Sequence, residues 1–407
     1  MYDLLDGMSV VEGAAFIAAP LCGMTLAQLG AEVIRFDMIG GGPDYRRWPL
    51  TDGGQSLYWM GLNKGKKSIA VDFREAEGRE LLTKLITRDG PGHGLFLTNF
   101  PMRGWLAHDA LCEYRADLIT AQITGSPDGR TAVDYTVNCA VGIPFATGQA
   151  SADRPVNNML PAWDISTGLT AAIGILAAER KRRDTGKGQL LTLALSDVAM
   201  AMTGNLGLLG EAEQNGVNRP SLGNDIYGAF GRDFASRDGR RVMIAAFTPK
   251  QCTGLIRAIG AEDAIGARAA KAGLDPATPD GLFQIRDTVA DLIAEWCKAR
   301  TLGEIADGLD AQGVCWGPYR TFTQMLAEDE RCSDRNPMFE TIQQERVGPM
   351  LVPGSPLDFD GVPRLPVTGA PLLGQHTDEI LADRLDLTGV QIGRLHDRGI
   401  VAGPVSQ

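Results

Sequence analysis

The sequence predicts an α/β protein, a Rossmann-like doubly wound large domain joined to a smaller α+β domain. Three observations carry that expectation. The first half alternates short apolar runs with amphipathic segments, the pattern of parallel strands covered by helices. Near Gly204 to Asn224 glycine and asparagine become frequent and the periodicity fades, as in a linker. Beyond it, Asp238-Gly239 sits between Ala229-Phe230 and Val242-Met243-Ile244-Ala245, which is a hairpin signal.

The elements follow in order. Ser9 to Val11 opens a strand, and Pro20 to Leu29 reads as a helix closed by Gly30. Val33 to Asp37 is a second strand, ending at Gly40-Gly41-Gly42. Ser68 to Phe73 is a third, followed by a helix from Glu75 to about Thr87 with Leu81, Leu82, Leu85 and Ile86 on one face. Leu95 to Leu97 and Leu118 to Ile123 supply two more strands. Pro161 to Met200 reads as a helix rich in small residues, a basic cluster, a glycine turn and a strand. Further helices are expected over Pro249 to Ile259, Thr288 to Arg300 and Leu302 to Ala311. A proline- and glycine-rich stretch, Val352 to Leu373, leads to a helix-rich end.

Bulk properties narrow the function. A chain of 407 residues has room for two domains, and its 44% hydrophobic and 22% charged residues are ordinary for a globular enzyme. The net charge of −11 argues against a nucleic-acid partner, whose phosphates would be repelled, but leaves room for a local basic site. The start, MYDLLDG, lacks the features of a signal peptide, and no apolar run approaches the ~20 residues of a membrane span. Seven scattered cysteines without a CxxC pair fit reduced thiols of a cytoplasmic protein. No G-x-G-x-x-G follows the first strand, so no dinucleotide cofactor is expected, and no metal site is indicated. Gly61 and Gly65 enclose three residues rather than four, so the lysines near them do not form a P-loop.

Asp164 stands between Trp163 and Ile165 at the mouth of the small-residue helix. An acid among apolar residues is costly unless it is paired, capping or chemically used. Local sequence alone makes it the N-cap of the helix that follows. The wider pattern points elsewhere. Asp164, Gly168, Ala171, Gly174-Ile175-Leu176-Ala177-Ala178, Thr185-Gly186-Lys187-Gly188-Gln189 and Ser196-Asp197 occur in an order and spacing that resembles the family III CoA-transferases, the CaiB/BaiF family. In that family the aspartate is a nucleophile, and the resemblance assigns this role to Asp164. The resemblance covers nearly the whole chain. It implies that residues 1–204 begin a large domain, 205–224 link, 225–325 form the small domain and 326–407 return to complete the large one. It also implies an interlocked homodimer.

Other segments take their roles from the same resemblance. Leu29-Gly30-Ala31-Glu32-Val33-Ile34-Arg35 is similar to the family's L-G-A-x-V-I-K, and Gly42-Pro43-Asp44 with Arg47 to its G-D-x-x-R. Asn63-Lys64-Gly65-Lys66-Lys67-Ser68 is similar to its N-K-R-S, so Lys66 and Lys67 either neutralise CoA phosphates or belong to a solvated basic loop. Asn99, Phe100, Met102 and Arg103 end a strand where open sheets bind ligands and are CoA-contact candidates; Phe100 reads equally as core. Asp134, Tyr135 and Asn138 occupy the acyl side of the family pocket, and Asn157 and Asn158 precede the nucleophile, making all five substrate-binding candidates. Racemases of the family carry a catalytic histidine where Val133 and Asp134 stand here. His376, in Gly374-Gln375-His376-Thr377, matches a structural motif.

The acyl-side phrases look most like the branch that moves CoA between the C1 and C4 carboxyl groups of mesaconyl-CoA. The glycine run of relatives acting on formyl-CoA or oxalate is not found after the Asp238-Gly239 hairpin, where Ala245-Ala246-Phe247-Thr248 stand. The resemblance thus implies transfer through an aspartyl anhydride and an aspartyl-CoA thioester, with CoA as part of the substrate and no separate cofactor. The alternatives are intermolecular transfer to a free acid, an acyl-CoA racemase, and a silent acyl-CoA binder.

Overall fold

The computed structural model describes residues 1–149 and 154–404. These fall into two compact units. The larger unit contains Met1–Val141, Asn158–Leu209 and the described residues from Glu330 onward. Its centre is a seven-stranded sheet. Six strands, β1 (Ser9–Gly13), β2 (Glu32–Asp37), β3 (Lys67–Val71), β4 (Leu95–Thr98), β5 (Ile119–Thr124) and β6 (Gln189–Ala194), run parallel in the order 3-2-1-4-5-6. Val401–Ala402 closes the β3 edge antiparallel, with Val401 opposite Val71. Val10 pairs with Val33 on one side and Leu95 on the other, so β1 is the central strand. Both β1 and β4 are buried along their whole length, and β1 carries one buried acid, Glu12.

Helix α1 (Ala18–Gln28) follows β1, α2 (Leu57–Leu62) precedes β3, and α3 (Ala76–Ile86) follows it. The heptad-like spacing of Leu81, Leu82, Leu85 and Ile86 buries one face of α3 among Ile34, Phe36, Ile69, Val71 and Phe96. Helix α4 spans Asp134–Ala140, and the 24-residue α5 spans Ala162–Thr185. Close approach sets the glycines of α5: a Cβ on Gly168 would stand 2.6 Å from the Ala18 carbonyl of α1, and one on Gly174 2.5 Å from Leu191 of β6. The basic cluster at the end of α5 is partly an anchor. Arg182, buried, donates to the carbonyls of Gly94 at 3.0 Å and Asp117 at 3.1 Å, and Gly186 turns the chain at φ +66.

The stretch read as a linker begins with helical residues and continues without regular structure over 216–222. Helix α6 runs over Leu195–Asn205 and another helix over Leu208–Asn215, with Gly207 (φ +79) and Gly216 (φ +64) at their ends. Those glycines stop helices instead of dissolving them. The large unit ends with a hairpin, Phe339–Gln344 against Gly348–Pro353, and helices Thr377–Leu385 and Gly389–Asp397. His376 accepts from the backbone N–H of Ser68 through Nδ1 at 3.2 Å, tying this end to β3.

The smaller unit contains Gly210–Asp329 and the described residues of Gly142–Asn157. Its sheet is antiparallel, β7 (Phe230–Ala235), β8 (Arg241–Ala246) and β9 (Cys315–Pro318), with Gly239 at φ +76 in the β7–β8 turn. Helices Pro249–Ile259, Arg286–Lys298 and Leu302–Asp310 cover it, burying Leu255, Ile293 and Leu309 against Phe230, Val242 and Ile244. The piece from residue 142 joins this unit by long-range bonds such as Gly223 N–H to the Gly148 carbonyl at 2.6 Å, pairing that no local pattern announces. Among the described residues no helix is long and apolar enough to cross a membrane.

Candidate active site

The strand order reverses between β1 and β4, and the carboxyl ends of those two strands make the crevice where open sheets take ligands. Asn99, just beyond β4, bridges the crevice: its Oδ1 accepts from Ala15 N–H at 3.0 Å and its Nδ2 donates to the Ala15 carbonyl at 2.7 Å. This bidentate clasp shapes the loop between β1 and α1. The first backbone N–H groups of α1 have no intrahelical partner, and that of Ala18 lies near enough to the Asp164 carboxylate to favour its ionised form.

Asp164 is the third residue of α5, not its N-cap; the capping position belongs to Pro161, whose side chain cannot cap. The cap arrives from another helix. Oδ2 of Asp134, at the start of α4, accepts from the N–H of Trp163 at 2.7 Å and of Asp164 at 2.9 Å. One turn later on the same face of α4, Oδ1 of Asn138 accepts from Trp163 Nε1 at 3.0 Å. Asp134 and Asn138, expected at the substrate, are 3% and 2% exposed and hold the beginning of α5 beside Asp164. With its helix end capped by Asp134, the Asp164 side chain is released to face the crevice loop.

Burial, and secondarily the negative charge of Asp134, pushes the Asp164 carboxyl up to about 7; the Ala18 N–H and the Arg47 cation pull it back. Arg47 approaches from the loop after β2. That loop is built on Arg35, whose buried guanidinium binds Asp37 at 2.9 Å, Asp44 at 3.0 Å, Asn63 at 3.2 Å and the Ala14 carbonyl at 2.9 Å. The Ser56 hydroxyl donates to the Arg47 carbonyl at 2.6 Å. The Arg47 guanidinium lies 5.6 Å from the ring centre of Phe16 and 5.2 Å from that of Tyr58. Phe16 adopts φ +68, a left-handed conformation uncommon for a bulky residue, in the loop between β1 and α1. The Tyr58 hydroxyl is buried without a hydrogen-bond partner among the described residues. Burial raises its pKa, and the charges of Arg47 and Asp164 both act on it.

The remaining expected residues divide. Lys66 is fully enclosed, its ammonium bound to Glu12 at 2.8 Å, the Pro20 carbonyl at 2.8 Å and Asn63 at 3.0 Å, so it is not a phosphate contact. Lys64, also buried, donates to the Gly61 carbonyl at 2.9 Å, and burial pushes it down to about 8. Lys67 is partly exposed and paired with Glu379 at 2.7 Å and Glu32 at 3.2 Å. The apparent basic loop is therefore mostly an interior anchor. Phe100 packs edge-on to Phe36 at 6.1 Å, and Arg103 is exposed beside half-buried Met102. The Tyr135 hydroxyl donates to the Met159 carbonyl at 3.3 Å. Asn158 is half-buried in the large unit; Asn157 is exposed and belongs to the smaller one. Phe16, Glu12 and Tyr58 carried no recognisable signal in the sequence, since each acts through partners elsewhere in the chain.

A carboxylate held at a helix N-terminus in the switch-point crevice suits covalent acyl chemistry. The chain is 54% identical over 405 residues to 2-methylfumaryl-CoA isomerase of Chloroflexus aurantiacus, covering 99% of both chains. It is 29% identical over 434 residues to formyl-CoA:oxalate CoA-transferase of Rhodopseudomonas palustris, covering 100% of this chain and 99% of the relative. Among solved structures, a CaiB/BaiF family protein from Brucella suis superposes with a TM-score of 0.76 and 27% identity, over 94% of this chain and 100% of that one. Rv3272 of Mycobacterium tuberculosis shares the fold at a TM-score of 0.73 and 22% identity, over 93% and 98%. The model of CoA-transferase family III matches residues 5–377, and the chain belongs to that family.

Proposed function

We propose that this enzyme moves CoA between the C1 and C4 carboxyl groups of mesaconyl-CoA (2-methylfumaryl-CoA), with Asp164 as the covalent nucleophile. The observation that carries the substrate is the full-length 54% identity to 2-methylfumaryl-CoA isomerase. The reading of Asp164 is supported by its place at the crevice, with the Ala18 N–H near its carboxylate.

In this mechanism a carboxylate oxygen of Asp164 attacks the C1 thioester carbon, giving a mixed anhydride and CoA thiolate. The thiolate attacks the Asp164 carbonyl carbon, giving aspartyl-CoA thioester and free mesaconate. The C4 carboxylate attacks that thioester, re-forming an anhydride and the thiolate. Attack of the thiolate on the C4 carbonyl gives the product and returns Asp164 as a carboxylate. Backbone N–H groups at the start of α1 are placed to stabilise the oxyanions. CoA enters as part of the substrate, and no other cofactor takes part. Retaining mesaconate between the half-reactions makes the second attack effectively unimolecular.

The test is to convert unlabelled mesaconyl-C1-CoA in excess labelled mesaconate. Negligible label in the C4-CoA product is expected; label at the ratio of the free pool would establish intermolecular transfer instead. The working form is a homodimer in the cytoplasm. Exposed Leu169 and Ile173 on α5, Leu190 on β6, and Met200 on α6 with Leu206 beyond it favour a covered surface. Sedimentation should give twice the 43.5 kDa chain mass.

A further inference from the structure

Among the described residues, neither the exposed guanidinium of Arg47 nor the buried hydroxyl of Tyr58 has a hydrogen-bond partner. Arg47 is fixed by its backbone, through Ser56, while its guanidinium stands between two aromatic rings, Phe16 and Tyr58. Contact with the rings orients the plane and leaves the N–H edges available. Among the described residues no carboxylate comes within ion-pair distance of it. The contrast with Arg35 is direct: Arg35 also lies over an aromatic ring, Trp59, yet its N–H groups are consumed by Asp37, Asp44, Asn63 and Ala14. The buried Tyr58 hydroxyl is likewise unsatisfied among the described residues, a state that costs stability unless a ligand completes it.

We infer that Arg47 and Tyr58 bind the substrate carboxylate that is not joined to Asp164, Arg47 through paired N–H donors and Tyr58 through its hydroxyl. This deepens the proposed reaction and rests on it for the dicarboxylic nature of the substrate. A guanidinium fork fits carboxylate and phosphate alike. Position separates them here, because the Arg47 charge acts on Asp164 itself, where the acyl carbon must sit, and the phosphates of CoA lie at the far end of its pantetheine arm. While CoA is held on Asp164, the site keeps the freed diacid from leaving. When the diacid turns end for end, its other carboxylate takes the same two donors. A monocarboxylic acyl group would leave both donors without a partner and be disfavoured.

Calorimetry on the intact enzyme tests this with mesaconate, crotonate and free CoA, in wild type, Arg47→Gln and Tyr58→Phe. Mesaconate affinity should fall about 10- to 100-fold in Arg47→Gln and less in Tyr58→Phe, with CoA affinity unchanged. Weakened CoA binding with intact mesaconate binding would make Arg47 a phosphate contact and overturn the inference. So would mesaconate binding that is absent in wild type or unchanged in both variants. Should Arg47→Gln fold poorly, the isosteric Tyr58→Phe decides alone. The kinetic counterpart is hydroxylamine-trapped acylation by mesaconyl-CoA and crotonyl-CoA: their ratio should collapse in Arg47→Gln, whereas an equal loss for both would count against carboxylate recognition. These binding measurements need no turnover. A failed label-retention test would therefore change the reaction assigned without deciding whether Arg47 and Tyr58 hold a carboxylate.

Discussion

Two groups of charged side chains in the large unit are treated in opposite ways. Beneath α1, Glu12, Arg35, Asp37, Asp44 and Lys66 are each 3% exposed or less and bound to one another and to Asn63. Beside α1, Asp164 and Arg47 keep open coordination, and the Tyr58 hydroxyl has no partner among the described residues. A buried charge must find partners or lose its ionisation, so the first group is largely consumed in holding loops together, with Oδ1 of Asp44 its one atom lacking a hydrogen-bond partner among the described residues. The second is left incomplete where the sheet offers a crevice. A charged residue near the site is thus judged by what remains unsatisfied on it, not by its distance in sequence.

The largest expected effect falls on the open group. Asp164→Ala should lower turnover by a factor on the order of 10⁴ or more, as loss of a covalent nucleophile does. Its fold should survive, since Asp134 and not Asp164 caps α5. Steady-state assays with circular dichroism read both, and a folded variant with substantial turnover would refute the assignment. In the closed group the balance reverses. Lys66→Ala leaves Glu12 buried without its main partner and should cost roughly 3–5 kcal/mol in denaturant unfolding. A change near zero would mean that the buried pair is not holding the fold.

Two pH experiments separate the groups further. The proposed attack requires ionised Asp164, so kcat/KM should fall as pH drops below about 7. Asp134→Asn keeps an oxygen to cap α5 but removes the charge that raises Asp164, so the acid limb should move to lower pH. A limb that stays in place would exclude Asp134 from tuning the nucleophile. Stability follows from the same shift. The Asp164 carboxyl titrates higher folded than its ordinary 3.8, so its contribution is fully present below about 4 and is lost as pH rises through about 7. Asp164→Asn should therefore gain thermal stability over wild type from pH 4 to pH 8, and a constant difference would contradict this. The smallest effect belongs to Lys67→Ala, which removes partly exposed pairs with Glu32 and Glu379 and should cost about 0–1 kcal/mol in the same unfolding measurement.

Much of this fold was written into local sequence. The apolar strands, the leucine face of α3, the Asp238-Gly239 turn and Gly186 at the end of α5 follow from periodicity and from conformations that few residues adopt. Asp164 stands out in the sequence because its surrounding motif is contiguous. Pairing, by contrast, is settled only in the folded chain. Asn63-Lys64-Gly65-Lys66-Lys67 reads as one basic loop, yet Lys66 turns inward to Glu12, 54 residues away, while Lys67 turns outward to Glu379. Asp134 reads as a pocket residue and becomes a helix cap only because α4 lies beside Trp163, 29 residues on. Tyr58 and Arg47 acquire meaning only when the loop built on Arg35 brings them to Asp164. Periodicity records which way a side chain faces along its own element; the free energy of a charge depends on neighbours that only the folded chain supplies.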